Sequence, residues 1–247
     1  MGRVGTPLQG VDLKIVSWNE GGYSVTDNVG PRGEIHIGGG NVSAGYYNMP
    51  EKSEEDYYLE NGKRWFKTGD IGQVMQDGTF KIIDRKKDLV KLQMGEYVSL
   101  GKVESILKIF HLIDNVCVYA KSSESFAVAL IVPDEAKLTH FAAKIGLNED
   151  CVEKICANPK VVKEFLKVLT SHGLANGLEK FEVPKQIHLV SELWTPDSGL
   201  VTAAMKLKRK EIEKRYSNQI IDMYSGPIST TAIDMNFNCR SGKVTPA

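Results

Sequence analysis

A single stretch of the chain gathers the side chains best suited to hold a polar ligand. It runs Trp65-Phe66-Lys67-Thr68-Gly69-Asp70-Ile71-Gly72, passes through Asp77-Gly78, and ends in Ile82-Ile83-Asp84-Arg85-Lys86-Lys87-Asp88. An aspartate directly after Thr-Gly is expected on a tight turn. Its carboxylate is then free to accept two hydrogen bonds, which a vicinal diol such as a ribose supplies, each worth roughly 1.5–3 kcal/mol when sheltered. The plainer reading is that Asp70 caps its own turn, as most Gly-Asp pairs do. Arg85, Lys86 and Lys87 likewise read on residue type alone as a solvated charge run. Residue type by itself favours the plainer reading at both places.

Other chemistries find less support. The four cysteines, Cys117, Cys151, Cys156 and Cys239, show no CxxC pairing, and the five histidines form no HxxH or HExxH spacing. Neither a zinc site nor a disulfide framework is signalled, and no metal site is assigned within the chain. His36 lies on an alternating strand and reads as a strand residue rather than a base. Trp18, Trp65 and Trp194 read as packing residues, with no stacking platform for bases.

The elements that must position these residues fall into two parts. The first 80 or so positions are rich in glycine and turn signals, with alternating runs at 11–16 and 33–37, the pattern of a small β-rich subdomain. Segments 71–75 and 79–83 flank Asp77-Gly78 and predict a hairpin, because glycine tolerates the positive φ of a tight turn. After Asp84 the character changes. Val103, Ile106, Leu107 and Phe110 follow i, i+3, i+4, i+7 spacing and predict an amphipathic helix. Strands follow near 115–121 and 126–132, then helices, one opening after Pro159 with Val161, Val162, Phe165, Leu166 and Leu169 on its apolar face. A last strand near 186–191 leads to a charged helix beginning near Lys206, with Leu207, Ile212, Tyr216 and Ile220 along one side. The fold class is α+β: a small β-rich subdomain followed by a compact α+β domain. The tail 225–247 has no sustained periodicity and is expected to be unstructured.

Composition bounds the rest. The chain has 247 residues, 42% hydrophobic and 25% charged, with 31 basic side chains against 31 acidic. That excludes a disordered, collagenous or disulfide-stapled class and allows one or two domains. Zero net charge supplies no global field for nucleic acid or an anionic membrane, and no nucleic-acid partner is expected. The longest apolar run, 126–132, falls well short of the roughly 20 residues a membrane helix needs. Met1-Gly2-Arg3-Val4-Gly5 opens no secretory signal, and the absence of a cysteine pairing pattern leads to the expectation of a reducing, cytosol-facing location.

Several motifs then occur in a telling order: Gly33-Glu34-Ile35-His36-Ile37-Gly38-Gly39, Gly45-Tyr46-Tyr47-Asn48, Trp65 through Asp70, and Ile83-Asp84-Arg85-Lys86-Lys87-Asp88-Leu89-Val90-Lys91. This is the order found in adenylate-forming enzymes. With Gly95-Glu96-Tyr97-Val98-Ser99-Leu100-Gly101-Lys102-Val103-Glu104, the chain resembles the C-terminal part of a eukaryotic long-chain acyl-CoA synthetase, from about residue 2 to 224.

The resemblance implies a role for each position. Asp70 matches the aspartate that binds the ribose hydroxyls of ATP and of the acyl-adenylate, and Arg85 matches an arginine that contacts the nucleotide. Lys87 falls on the hinge about which the C-terminal domain turns, so residues 1–86 would end the large AMP-binding domain and 87–224 would form the mobile domain. Gly95 lies in the loop lining the passage for the pantetheine arm of CoA, and Lys206 matches the lysine that assists adenylation. The glycine usual before that lysine is Met205 here. Glu104 follows the family pattern and reads as support for the loop at Gly95.

The implied reaction joins a long-chain fatty acid to CoA at the expense of ATP, through an acyl-adenylate. The family's phosphate loop, adenine segment and Mg2+ site match no stretch of these residues; Gly38-Gly39-Gly40 lacks the hydroxyl and lysine partners of a triphosphate cradle. The Mg2+ ligands and the acyl tunnel are therefore expected upstream, with any membrane anchor at the endoplasmic reticulum, outer mitochondrial or peroxisomal membrane. The chain reads as the last third of a larger enzyme, inactive alone. The competing reading is a noncatalytic module that binds nucleotide or a partner.

Overall fold

The structure is a computed structural model that describes residues 3–226. Its N-terminal part is a five-stranded antiparallel sheet with one short helix. Strands β1 (Asp12–Val16), β2 (Arg32–Gly38), β3 (Tyr57–Glu60), β4 (Lys63–Val74) and β5 (Phe80–Arg85) pair in the order β1-β2-β4-β3, with β5 also on β4. Helix α1 (Pro50–Asp56) precedes β3 and starts on a proline, whose missing N–H costs nothing at a helix N-terminus. Because β4 is twelve residues long, its first half pairs with β3 and its second half with β5. The expected hairpin joins β4 to β5. Met75 N–H donates to the Thr79 carbonyl at 2.8 Å, and Gly78 takes the left-handed φ of +77° that closes such a loop.

A 3-10 turn, Lys86–Asp88, leads out of the sheet into a two-stranded ribbon, β6 (Leu89–Lys91) and β7 (Tyr97–Ser99). Gly95 sits at the ribbon's tip with φ +98°. Helix α2 (Leu100–Leu107) follows directly, capped by the Ser99 hydroxyl, which accepts from Lys102 N–H.

The C-terminal region is built on a three-stranded sheet, β10-β9-β8, from β8 (Ile113–Tyr119), β9 (Val128–Pro133) and β10 (Gln186–Leu189). β8 runs antiparallel to β9 and β10 parallel to it. Helices α3 (Glu135–Lys144), α4 (Val152–Ala157) and α5 (Pro159–Ala175) fill the crossover, and α6 (Arg209–Arg215) and α7 (Ser217–Ser225) follow β10. Strand alternation sorts the core onto two faces. Val116, Val118, Ala129 and Ile131 pack with Leu107, Phe165 and Leu169 on one side. Cys117, Val128, Leu130 and Val132 pack with Trp194, Ile212, Ile220 and Met223 on the other. The α+β class is as expected, with a β-rich subdomain ahead of the α+β region.

Two expectations are corrected. Thr68-Gly69-Asp70 is not a turn between strands but a bulge inside β4. Glu34 pairs with Ile71 and His36 with Lys67, so residues 68–70 all face the single residue Ile35. Glycine at φ +70° makes this possible, and a bulge of this kind carries the same sequence mark as a turn. The charged helix does not begin near Lys206. Residues 202–206 form a turn closed by the Val201–Leu207 bridge, α6 starts at Arg209, and a break at Tyr216 separates it from α7. The expected unstructured tail lies outside the described residues, save Ser225, which ends α7, and Gly226.

Candidate functional site

The Thr68–Asp70 bulge is held from inside. Thr68 Oγ1 donates to the Ile35 carbonyl at 2.8 Å and accepts from Asp70 N–H at 3.0 Å. Glu34, 7% exposed, accepts from Gly69 N–H with Oε1 at 3.2 Å. The bulge thus takes Asp70 out of register with β2 while its N–H stays bonded to Thr68. Across the strands Asp70 faces Arg85, whose Nε donates to Asp70 Oδ1 at 2.8 Å. The Arg85 side chain is 68% exposed, so this ion pair is worth under about 1 kcal/mol and yields readily to a competing ligand.

Two open clefts meet at Arg85. One, about 610 Å³, is walled by Asp70, Asp84, Ser99, Lys102 and Ile106. The other, about 710 Å³, is walled by Glu104, Lys108, Asn115, Lys206 and Lys210. Arg85, Asp88, Gly101 and Ser105 line both. The structure therefore gathers Asp70, Arg85 and Lys206 around one shared wall. It does not bring in Gly95 or Lys87, which line neither cleft; Gly95 is at the ribbon tip and Lys87 is exposed in the 3-10 turn.

The Lys206 turn is fixed at both ends. Thr202 N–H donates to the Lys206 carbonyl at 2.8 Å and Lys208 N–H to the Leu200 carbonyl at 2.9 Å. Met205 adopts φ +57°, a conformation a glycine would take without steric cost. Three residues on, Arg209 makes a two-pronged contact to Glu104, Nη1 to Oε1 at 2.7 Å and Nη2 to Oε2 at 2.6 Å. It also donates to the Val118 carbonyl at 3.1 Å and stands 3.4 Å from Asp88. Glu104 accepts Val118 N–H at 2.7 Å. Burial pushes the Glu104 carboxyl up, against the opposing pull of the guanidinium and that N–H. Glu104 therefore braces α6 and the Lys206 turn, and not the Gly95 loop as its place in the sequence implied. Cys117, beside Arg209, is no nucleophile: burial raises its thiol to about 12.

Sequence reasoning missed Glu34, Ser99 and Arg209. Glu34 left one signal, a carboxylate inside an apolar strand. Ser99 and Arg209 left none, since their partners lie far off in the chain. Asp84, at the end of β5, accepts the Ser99 hydroxyl at 2.8 Å, linking sheet and helix α2. His36 is a strand residue as expected, buried with Nδ1 at 2.8 Å from the Tyr58 hydroxyl. Among the described residues no group of three or more His, Cys, Asp or Glu is placed to hold a metal ion, and no helix is long and apolar enough to cross a membrane.

No family model matches the chain. It is 49% identical over 226 residues to long chain acyl-CoA synthetase 8 of Arabidopsis thaliana, covering 91% of this chain and 31% of that protein. It is 38% identical over 224 residues to long-chain-fatty-acid–CoA ligase 1 of Homo sapiens, covering 91% and 31%. Among solved structures, the adenylation domain of a carboxylate reductase from Mycobacterium chelonae superposes with a TM-score of 0.75 at 26% identity, covering 90% of this chain and 32% of that one. The corresponding domain from Segniliparus rugosus, solved with AMP and a co-purified carboxylic acid, superposes with a TM-score of 0.73 at 28% identity, covering 87% and 32%. The chain thus spans just under a third of the length of these relatives.

Proposed function

The chain is homologous over most of its length to the long-chain acyl-CoA synthetases, and on that premise we propose that it serves a ligase that activates long-chain fatty acids with ATP and passes the acyl group to CoA. In the first step a carboxylate oxygen attacks the α-phosphorus and pyrophosphate leaves. In the second the CoA sulfur attacks the acyl carbonyl, its proton is lost and AMP leaves. Asp70 accepts the ribose hydroxyls. Arg85, so weakly held, swings from Asp70 to the nucleotide. Lys206 brings a cation to the charge that builds as two anions meet; losing a comparable donor costs about 2.7–4 kcal/mol of barrier. Mg2+, where it takes part, would supply further charge neutralisation on the phosphates.

We assign residues 1–86 to the end of the nucleotide-binding domain, 87–224 to a mobile domain, and Lys87 to the hinge. Its 3-10 turn stands between the sheet and the β6–β7 ribbon, where a change of backbone angle would turn one against the other. The second step needs a thiol to reach the acyl carbonyl after pyrophosphate has left, so one face of the mobile domain must give way to another. Gly95, away from the clefts at the ribbon tip, belongs to the face that follows and lines the pantetheine passage. Cys117, Cys151 and Cys156 are free thiols, which fits a reducing, cytosol-facing setting.

The observation that carries this reading is the shared wall at Arg85, with Asp70 on one side and Lys206 on the other. The test is turnover of palmitate, ATP and CoA. The 247-residue chain alone should show none. Mixed with the complementary N-terminal portion of a relative, it should form palmitoyl-adenylate and then palmitoyl-CoA, and Lys206→Ala should remove the first step. A productive mixture indifferent to both Lys206→Ala and Asp70→Ala would sink the assignment. AMP binding at Asp70 with no productive mixture would select the noncatalytic module instead.

A further inference from the structure

One buried carboxylate touches both the bulge that carries Asp70 and the segment that carries Lys87. Glu34 Oε1 accepts from Gly69 N–H at 3.2 Å, and Oε2 accepts from Lys86 Nζ at 3.1 Å. The same Oε2 stands 3.6 Å from His36 Nε2, whose ring nitrogen has no closer partner. Lys86 is steered onto this spot from below, its ammonium 5.4 Å from the centre of the Trp18 ring. The Glu34 side chain is 9% exposed and that of Lys86 40% exposed, so the charge that must stay paired is the carboxylate.

We propose that Glu34 is a positioning residue that ties the bulge carrying Asp70 to the junction carrying Lys87. Any rotation that carries the 86–88 turn off the sheet must take Lys86 from a carboxylate that is mostly buried, and leaving such a group without its counter-charge is costly. The junction therefore resists turning while Glu34 is engaged. By reciprocity, whatever displaces the Gly69 N–H from Glu34 changes how firmly Lys86 is held. A ligand on Asp70 acts on that same three-residue bulge. The inference rests on the reading of Asp70 and Lys87 for its meaning in catalysis, but its physical content does not.

Hydrogen exchange on the 247-residue chain, with no nucleotide present, tests the tie directly, following peptides over 66–72 and 84–91. Glu34→Ala should speed exchange in both. Glu34→Gln keeps an oxygen for Gly69 N–H but loses the counter-charge, so 66–72 should stay near the parent rate while 84–91 speeds about three- to tenfold, the effect of one partly exposed charge-assisted hydrogen bond. Lys86→Met should speed 84–91 by the same factor, and the double variant should be no faster than either single. A purely structural Glu34 would tolerate the isosteric Gln in both peptides, which would overturn the proposal. So would additive effects in the double variant. If the Glu34 variants fail to fold, Lys86→Met decides alone: 84–91 at the parent rate means no tie. Because no ligand or turnover enters, loss of the tie and loss of the ligase reading are separate results.

Discussion

The two halves of the molecule are held together by different means. In the N-terminal sheet only Ile35, Trp65 and Ile71 are buried apolar side chains, whereas the C-terminal region packs two clusters, one on each face of β8–β10. Both faces of β1 are half-buried throughout. The sheet takes its register from ladders, bulges and charge pairs such as Lys14–Glu60 between strands and Arg32–Asp27 between β2 and the loop before it, each worth little alone. The contrast teaches where change is tolerated: the polar ties that shape the nucleotide bulge lie in the half with the thinner core, and the turn that delivers Lys206 stands on the thicker one.

The contrast can be broken by cutting into the thick half first. Phe165, fully buried between Phe110 and Phe141, should cost about 3–5 kcal/mol when truncated to alanine. Urea unfolding followed by region-resolved hydrogen exchange should show the loss in the C-terminal region with the sheet's exchange unchanged; equal loss in both would mean one cooperative unit. Next, Arg209→Met strands Glu104 and should cost about 2–3 kcal/mol. Adding Glu104→Met removes the stranded charge but also the acceptor of Val118 N–H, so it should recover part of the loss, read as a partial return of the urea midpoint. If the double variant is as weak as the single, the pair is not what braces α6.

A pH series separates the halves more gently. Burial holds both His36, in the sheet, and His188, in β10, below the ordinary 6.5. Each is therefore kept neutral by folding. Their contribution is whole above pH 6.5 and is lost as pH falls from there through each histidine's own lower value, because the unfolded chain takes up the proton first. Melting curves should show both regions weakening on mild acidification, and His36→Asn should flatten the sheet's share only. Smallest is Met205→Gly. Relieving a left-handed methionine should gain up to about 1 kcal/mol, a shift in the urea midpoint confined to the C-terminal region.

Much of this was legible in the sequence where one residue sets one local geometry. Gly78 announced its hairpin, and Val103, Ile106 and Leu107 announced α2. The α+β class followed from their order. What stayed hidden depends on partners distant in the chain. Gly69 marks a positive φ, but only pairing with β2 turns that φ into a bulge rather than a turn. The charged run 206–215 has a helical spacing, yet the Val201–Leu207 bridge keeps its first residues out of the helix. Asp70, Arg85 and Lys206 could be matched to roles by resemblance, while Glu34, which holds the bulge from behind, could not be distinguished from any acidic strand residue until the fold set Lys86 against it.

The one parallel pair among the described residues, β9 with β10, also bears on how the chain assembles. β8 and β9 can zip together as soon as both exist, with α2 laid across them. β10 cannot join until α3, α4 and α5 have crossed the sheet and brought it back pointing the same way. Until then β9 shows an open edge, so the wait for its last neighbour is the interval in which a newly made chain is most exposed to pairing with another copy.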